Sequence, residues 1–290
     1  MSSAETIEAI AAEPTDVAIE AGWDRRRMPR KAWVGLAIFI LFVIIAVFAP
    51  LIVPYAPNAQ DATQRLLPPS LSHLFGTDAL GRDQFSRVIF ATRTDLPLSL
   101  AAVFLPLIVG TAIGAFAGFY GGWADAVSMR TADLVQAFPV YVLLIALVFA
   151  LGGGVRSILI AFTAVGWVVY ARLVRAEILH IRSLEYVQAA SVGGLGRRRI
   201  LTRHVMPNAL PQPLIYAASD VVLAVVTLSA LSFFGLGIPK GTPEWGSMIA
   251  DGQIYLSDQW WLSVTPGLAI VLFGLGMSLI GDGLSERLRR

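Results

Sequence analysis

The chain has 290 residues, 56% of them hydrophobic and only 14% charged, which is not the usage of a soluble domain. A formal net charge of +2 makes no case for nucleic acid, and the lack of cysteine excludes disulfides and thiolate-bound metal. Apolar runs of roughly 20 residues, long enough to cross about 30 Å of hydrocarbon, recur along it, which predicts an all-α, polytopic membrane protein.

In chain order, Met1–Gly22 is acidic (Glu5, Glu8, Glu13, Asp16 and Glu20) and alanine-rich. It reads as a tail, and without a basic lead into an apolar core it is not expected to be a cleavable signal peptide. Arg25, Arg26, Arg27, Arg30 and Lys31 then precede the first apolar run, Trp33–Val53. Such a cluster holds its end of a span in the cytoplasm. Further spans are predicted at Leu96–Phe119, Leu134–Leu151, Ser157–Leu173, Leu210–Leu236 and Trp260–Ile280, six transmembrane helices in all. An even number returns the C-terminus to the cytoplasm, where Arg287, Arg289 and Arg290 obey the same rule. The connection 172–209 also falls inside, with Arg172, Arg175, Arg182, Arg197, Arg198, Arg199 and Arg203 against Glu177 and Glu185. The fourth span is short, and Arg172 or Arg175 is expected to snorkel at its end. Three parts follow: a tail, 1–31; a first span with its external connection, 32–95; and a five-helix core, 96–290.

The first external connection, Pro54–Asp95, contains HLFGTDALGRDQFSR at 73–87. Gly76 and Gly81 suggest turns, and the alternating charged and apolar residues after Gly81 suggest a surface helix entering the second span. Asp78 and Asp83 lack the run of oxygen ligands that calcium needs, so local ion pairs with Arg82 and Arg87 are expected. The second external connection, Gly235–Asp258, carries GLGIPKGTPEWGSMIADG. Its Gly, Pro and Trp predict a compact, ordered loop. Trp245, Trp260 and Trp261 suit interfacial anchors near span ends.

The longest polar interruption is Glu185–Asn208, EYVQAASVGGLGRRRILTRHVMPN. Two short helices are predicted, broken at Gly193-Gly194. In the second, Ile200, Leu201, His204 and Val205 share one face, while Arg197, Arg198, Arg199 and Arg203 lie mostly off it. Pro207 limits its continuation, and His204 reads as a packing residue. An elbow this polar lies at the membrane surface, offered either to a soluble partner or simply to anionic lipid.

Asp220 is the only formal charge of the fifth span and sits near its middle. An intramembrane carboxylate faces a bundle interior or an aqueous path. The equal alternative is a hydrogen-bonded Asp, assisted by Ser219, that packs two helices together. Pro106 and Pro266 interrupt the second and sixth spans, where kinks help shape a cavity.

No GxxxxGK[ST] nucleotide loop, HExxH or GxSxG nucleophile elbow occurs. Histidines 73, 180 and 204 have no metal-ligand spacing. Neither a catalytic residue nor a metal site is expected, and the chain is not expected to be an enzyme. A self-sufficient secondary transporter and a plain structural anchor are the rival classes; against the first stands the missing internal inverted repeat.

The elbow resembles the cytoplasmic EAA loop of permease subunits in ATP-binding-cassette importers. Its pattern is EAA, three residues, Gly, nine residues, then Ile-x-Leu-Pro. Here Gln188-Ala189-Ala190 leads by three residues to Gly194, and nine residues later comes His204-Val205-Met206-Pro207. Gln, His and Met replace Glu, Ile and Leu; the small residues, the spacing and the proline match. GTDALGRD at 76–83 with Ser86-Arg87, FYGGWAD at 119–125 and SFFGLGIPKGTPEWGSM at 232–248 resemble blocks of the peptide/nickel importer permeases. In order and topology they are similar to the C-type subunit, from Lys31 to Arg290.

That resemblance implies a type I importer permease fold in a bacterial inner membrane. It implies as partners a homologous B-type permease, two cytoplasmic ATPases that hold ATP and Mg, and an external substrate-binding protein, with no cofactor on this chain. The implied cargo is di- or oligopeptide, with nickel chelates, glutathione or another peptide-like solute as alternatives. Glu185, Gln188, Ala189, Ala190, Gly193, Gly194, His204 and Pro207 would belong to the ATPase-coupling loop, 185–208. Asp220 would line the path, and Trp245, Asp78 and Arg82 would be external loop contacts. The run Arg197–Arg199 is expected to meet membrane-lipid phosphates.

Overall fold

The computed structural model describes residues 29–239 and 241–289, without the side chains of 288 and 289. The acidic stretch Met1–Gly22, Arg25, Arg26, Arg27 and Arg290 lie outside the described residues. Regular structure among the described residues is helical. The long helices are α1 (Arg30–Ile52), α2 (Gln84–Tyr120), α3 (Gly122–Gln136), α4 (Val140–Ala150) and α5 (Gly154–Ile181). The elbow holds α6 (Glu185–Val192), α7 (Arg197–Ile200), a π turn at Leu201–Val205 and α8 (Met206–Ala209). The chain closes with α9 (Pro211–Phe233), α10 (Trp245–Gln253) and α11 (Trp261–Arg289).

Helices α1, α2, α5, α9 and α11 are each long and apolar enough to cross a membrane; α3 and α4 qualify only together, across a 90° bend. The predicted third span, Leu134–Leu151, is therefore not one straight helix. Pro139 caps α4; lacking an N–H and disfavouring helix in the residue before it, it separates the two pieces. The 11 residues of α4 rise only about 16 Å at 1.5 Å each, so α4 alone is too short to cross.

Two other boundaries also move. The second span begins at Gln84, so the predicted surface helix after Gly81 and the span are one helix, with Gln84, Ser86, Arg87 and Val88 buried. Pro106 and Pro266 stay inside unbroken helices. The fourth span continues past Leu173 to Ile181. Arg172 is exposed and Arg175 half-buried, and each has an acidic partner. Arg172 pairs with Asp133 at 2.6 Å and Arg175 with Asp125 at 2.7 Å, which clips the polar side of α3 onto α5.

Close packing in the bundle comes from small residues, because lipid tails are as apolar as leucine and supply no hydrophobic drive between helices. Gly110, Gly114 and Gly118 on α2 face Trp167, Ala171 and Arg175 on α5, and a Cβ on Gly110 or Gly114 would collide with the opposing backbone carbonyl. Gly35 of α1 meets Gly276 of α11 in the same manner. The remainder of α1 buries only Ala32, Gly35, Phe42 and Ala49, leaving an apolar outer surface suited to lipid.

Candidate functional site

The elbow is built from a short helix, a turn and a distorted second helix. Helix α6 ends in a paired hydrogen-bond motif: Leu195 N donates to Ala190 O at 3.2 Å and Gly194 N to Ser191 O at 3.1 Å. This closure needs a left-handed residue, and Gly194 supplies it at φ +79°. Gly193 stays at φ −71°, so only one of the two predicted turn glycines uses glycine's freedom. Pro207 does not end the second helix but lies inside α8. The π turn before it accommodates a ring that clashes with the carbonyl four residues earlier.

The elbow's inner face is apolar. Val187, Ile200 and Val205 are buried against Ala115 of α2 and Val174, Ile178 and Ile181 of α5, with Leu195, Leu201, Met206 and Phe119 packed around them. Arg182 adds a hydrogen bond from Nη1 to Gly118 O at 3.0 Å. Outward, Glu185, Gln188, Ala189, Gly193, Gly194, Pro207 and Arg197, Arg198, Arg199 and Arg203 are exposed, while Ala190 and His204 are half-buried. The His204 carbonyl accepts from Asn208 Nδ2 at 2.8 Å, and Gln188 Nε2 donates to Ser183 O at 3.0 Å. The predicted amphipathic division therefore holds, with His204 at its edge.

Elsewhere in the bundle a pocket of about 220 Å³ is walled by α2, the end of α3, α4, α5 and α9. Asp220 lines it, beside Tyr216, Gln136 and Thr227. The Tyr170 hydroxyl donates to Asp220 Oδ2 at 2.8 Å, and the Tyr170 ring meets Tyr216 edge-on, 5.5 Å between centroids. Asp220's partner is thus Tyr170 and not Ser219, which sits against Gly281 of α11. No spacing rule links residues 50 apart on different helices. The available signal was a tyrosine inside an otherwise apolar span.

At the other end of α2 from the elbow, Asp78 and Arg82 form the expected pair, Nε to Oδ2 at 2.6 Å, and both are buried. Asp83 does not pair with Arg87. It takes His73 Nδ1 at 2.9 Å and caps α2 through Ser86 N at 2.8 Å. Arg87 pairs with Asp78 instead, Nε to Oδ2 at 3.8 Å, and its Nη1 donates to Asn58 Oδ1 at 3.1 Å.

Trp245 is neither an interfacial anchor nor an external contact, because it is fully buried. Its ring lies edge-on to Phe42, and its Nε1 donates to Val88 O at 3.1 Å. Its backbone N donates to Asp95 Oδ2 at 3.0 Å. The preceding Glu244, 1% exposed, caps α10 by accepting from Gly246 N and Ser247 N, each at 2.7 Å. Asp95 and Glu244 are thus both buried at the start of α10, one on the backbone N of Trp245 and the other on those of Gly246 and Ser247. Burial pushes the Glu244 carboxyl up from its usual value, against the pull of the Ser247 and Gly246 N–H groups. Sequence inspection missed this junction, since nothing local signals that a charge beside a span will meet one from a distant loop.

These features define a multi-pass helical membrane protein with a pocket in its helix bundle and a polar elbow seated on two of the helices that wall it. Residues 110–290 match the family described as binding-protein-dependent transport system inner membrane component. Residues 21–69 match the N-terminal transmembrane domain of oligopeptide transport permease C. The chain is 39% identical over 251 residues to the probable D,D-dipeptide transport system permease protein of Escherichia coli (strain K12), covering 87% of this chain and 84% of that one. It is 36% identical over 264 residues to the oligopeptide transport system permease protein of Bacillus subtilis (strain 168), covering 91% and 87%. To the nickel transport system permease protein of Escherichia coli (strain K12) it is 37% identical over 254 residues, covering 88% and 92%. The chain belongs to the family of binding-protein-dependent transport system inner membrane components, with the type I importer permease fold.

Proposed function

We propose that this chain is the C-type permease subunit of an ATP-driven importer that carries di- or oligopeptides across a bacterial inner membrane. Its termini lie in the cytoplasm. A similar B-type permease completes the path, two cytoplasmic ATPases holding ATP and Mg supply the drive, and an external binding protein delivers cargo. One observation carries the reading. The elbow rests on one end of α2 and α5, the cytoplasmic end in this reading, and the same two helices wall the cavity through Val103, Pro106 and Val165. A push on the exposed elbow is therefore delivered to the cavity walls through close-packed contacts, which transmit strain. Asp220, with Tyr170 holding one of its oxygens, presents a carboxylate to the ammonium of a peptide.

The test is reconstitution of the chain with its candidate permease partner, ATPases and binding protein in proteoliposomes. ATP-dependent uptake of a labelled dipeptide, abolished by Gly194→Arg without loss of insertion, is the expected result. Uptake without ATPases would establish a secondary transporter instead. The nickel permease relative favours a second cargo, a nickel chelate, and preferential uptake of labelled nickel in the same vesicles would select it.

A further inference from the structure

On the external face, a second cavity of about 250 Å³ lies between the 78–87 stretch and α10, sharing no lining residue with the first. Arg82 and Arg87 both line it, and Asp78 and Asp251 are its acidic groups. The carboxylate of Asp78 is already fully used. Its Oδ1 accepts from Leu80 N and Arg82 N, at 2.9 and 3.0 Å, and its Oδ2 takes Arg82 Nε at 2.6 Å with Arg87 Nε 3.8 Å away. Arg82 is 8% exposed, and among the described residues its guanidinium has, beyond Nε, only Asp251, at 3.9 Å, outside hydrogen-bond reach. The Asp251 side chain is itself 69% exposed. The Arg82 Nη donors stay accessible from the pocket, and the guanidinium fork suits a carboxylate.

We infer that this pocket docks an external protein by receiving one of its Asp or Glu side chains on Arg82, displacing Asp251. Leu80 and Ile254 stand exposed at the rim. Apolar groups around a desolvated charged anchor are the anatomy of a protein interface, whereas a free anion has no use for them. The inference rests on the reading above, in which an external binding protein serves this chain, and assigns that protein its contact.

The test is binding of the purified cognate binding protein to the complete importer in nanodiscs, at low salt. Arg82→Gln is expected to weaken binding by about tenfold or more, the scale set by losing one buried charge pair. Ile254→Glu, at a site 78% exposed where folding is not at stake, is expected to weaken it comparably by repelling the incoming carboxylate. Asp251→Asn removes the internal competitor and is expected to tighten binding. Unchanged affinity in both Arg82→Gln and Ile254→Glu overturns the pocket and leaves the importer reading standing. No binding by wild type overturns the reading and the proposal together. Inorganic phosphate that binds wild type but not Arg82→Gln, with binding-protein affinity unaffected by either, makes the pocket a free-anion site and sinks the docking assignment.

Discussion

The Tyr170 hydroxyl on α5 donates to an Asp220 carboxylate oxygen on α9 at 2.8 Å, at the wall of the central cavity. Asp220→Asn keeps an acceptor for that hydroxyl and removes only the charge. If the carboxylate meets cargo, uptake falls by about tenfold or more, equivalent to roughly 1.4 kcal/mol, while assembly with the partner permease is normal. Tyr170→Phe keeps the charge and has a smaller effect. Wild-type uptake by Asp220→Asn would leave the residue a packing contact.

Helix contact between α2 and α5 depends on Gly114, where a Cβ would strike the Ala171 carbonyl. Gly114→Ala should cost about 1–3 kcal/mol, the range for overpacking, and Gly114→Leu should prevent recovery of monodisperse protein. Gly267→Ala is the control, since that position is open and has an ordinary φ. Melting temperatures in detergent give the comparison; equal melting of both alanine variants would refute the close contact.

At the elbow, Gly194 is left-handed and Gly193 is not. Gly194→Ala should therefore lose about 1–2 kcal/mol, with Gly193→Ala costing less. Ala189 is exposed, so Ala189→Glu should insert and melt like wild type yet fail to retain the ATPases in a pull-down. Retention would place the ATPase contact elsewhere.

The Asp95–Glu244 junction predicts a pH dependence. Burial raises the Glu244 carboxyl above its usual value, so the folded protein holds a proton there that the unfolded chain releases. Stability is then full below the ordinary glutamate range and falls as pH rises through the raised value. Thermal unfolding in nanodiscs, scanned from about pH 5 to about pH 9, should show that loss. Glu244→Gln removes that titration and should flatten the profile; an unchanged slope would exclude Glu244 as its source.

Much of the architecture was legible in the chain. Runs of lipid-length apolar residues mark helices because the backbone must satisfy its own hydrogen bonds in hydrocarbon. The elbow was legible for a related reason, since Arg197–Arg199 and Arg203 cannot enter that hydrocarbon and Gly194 allows the reversal. The third span was misjudged because length and composition do not report direction, and Pro139 turns the chain through 90°.

Sequence alone determined which segments meet lipid and which meet water, because transfer free energy is a property of the segment itself. Only the tertiary structure decided the pairings: Tyr170 with Asp220, Asp95 with the backbone N of Trp245, the Trp245 ring inside the bundle, and the elbow on α2 and α5. Such contacts depend on where separate helices cross. In a bilayer those crossings are set by backbone approach at small residues such as Gly110 and Gly114, which no local hydrophobic pattern encodes.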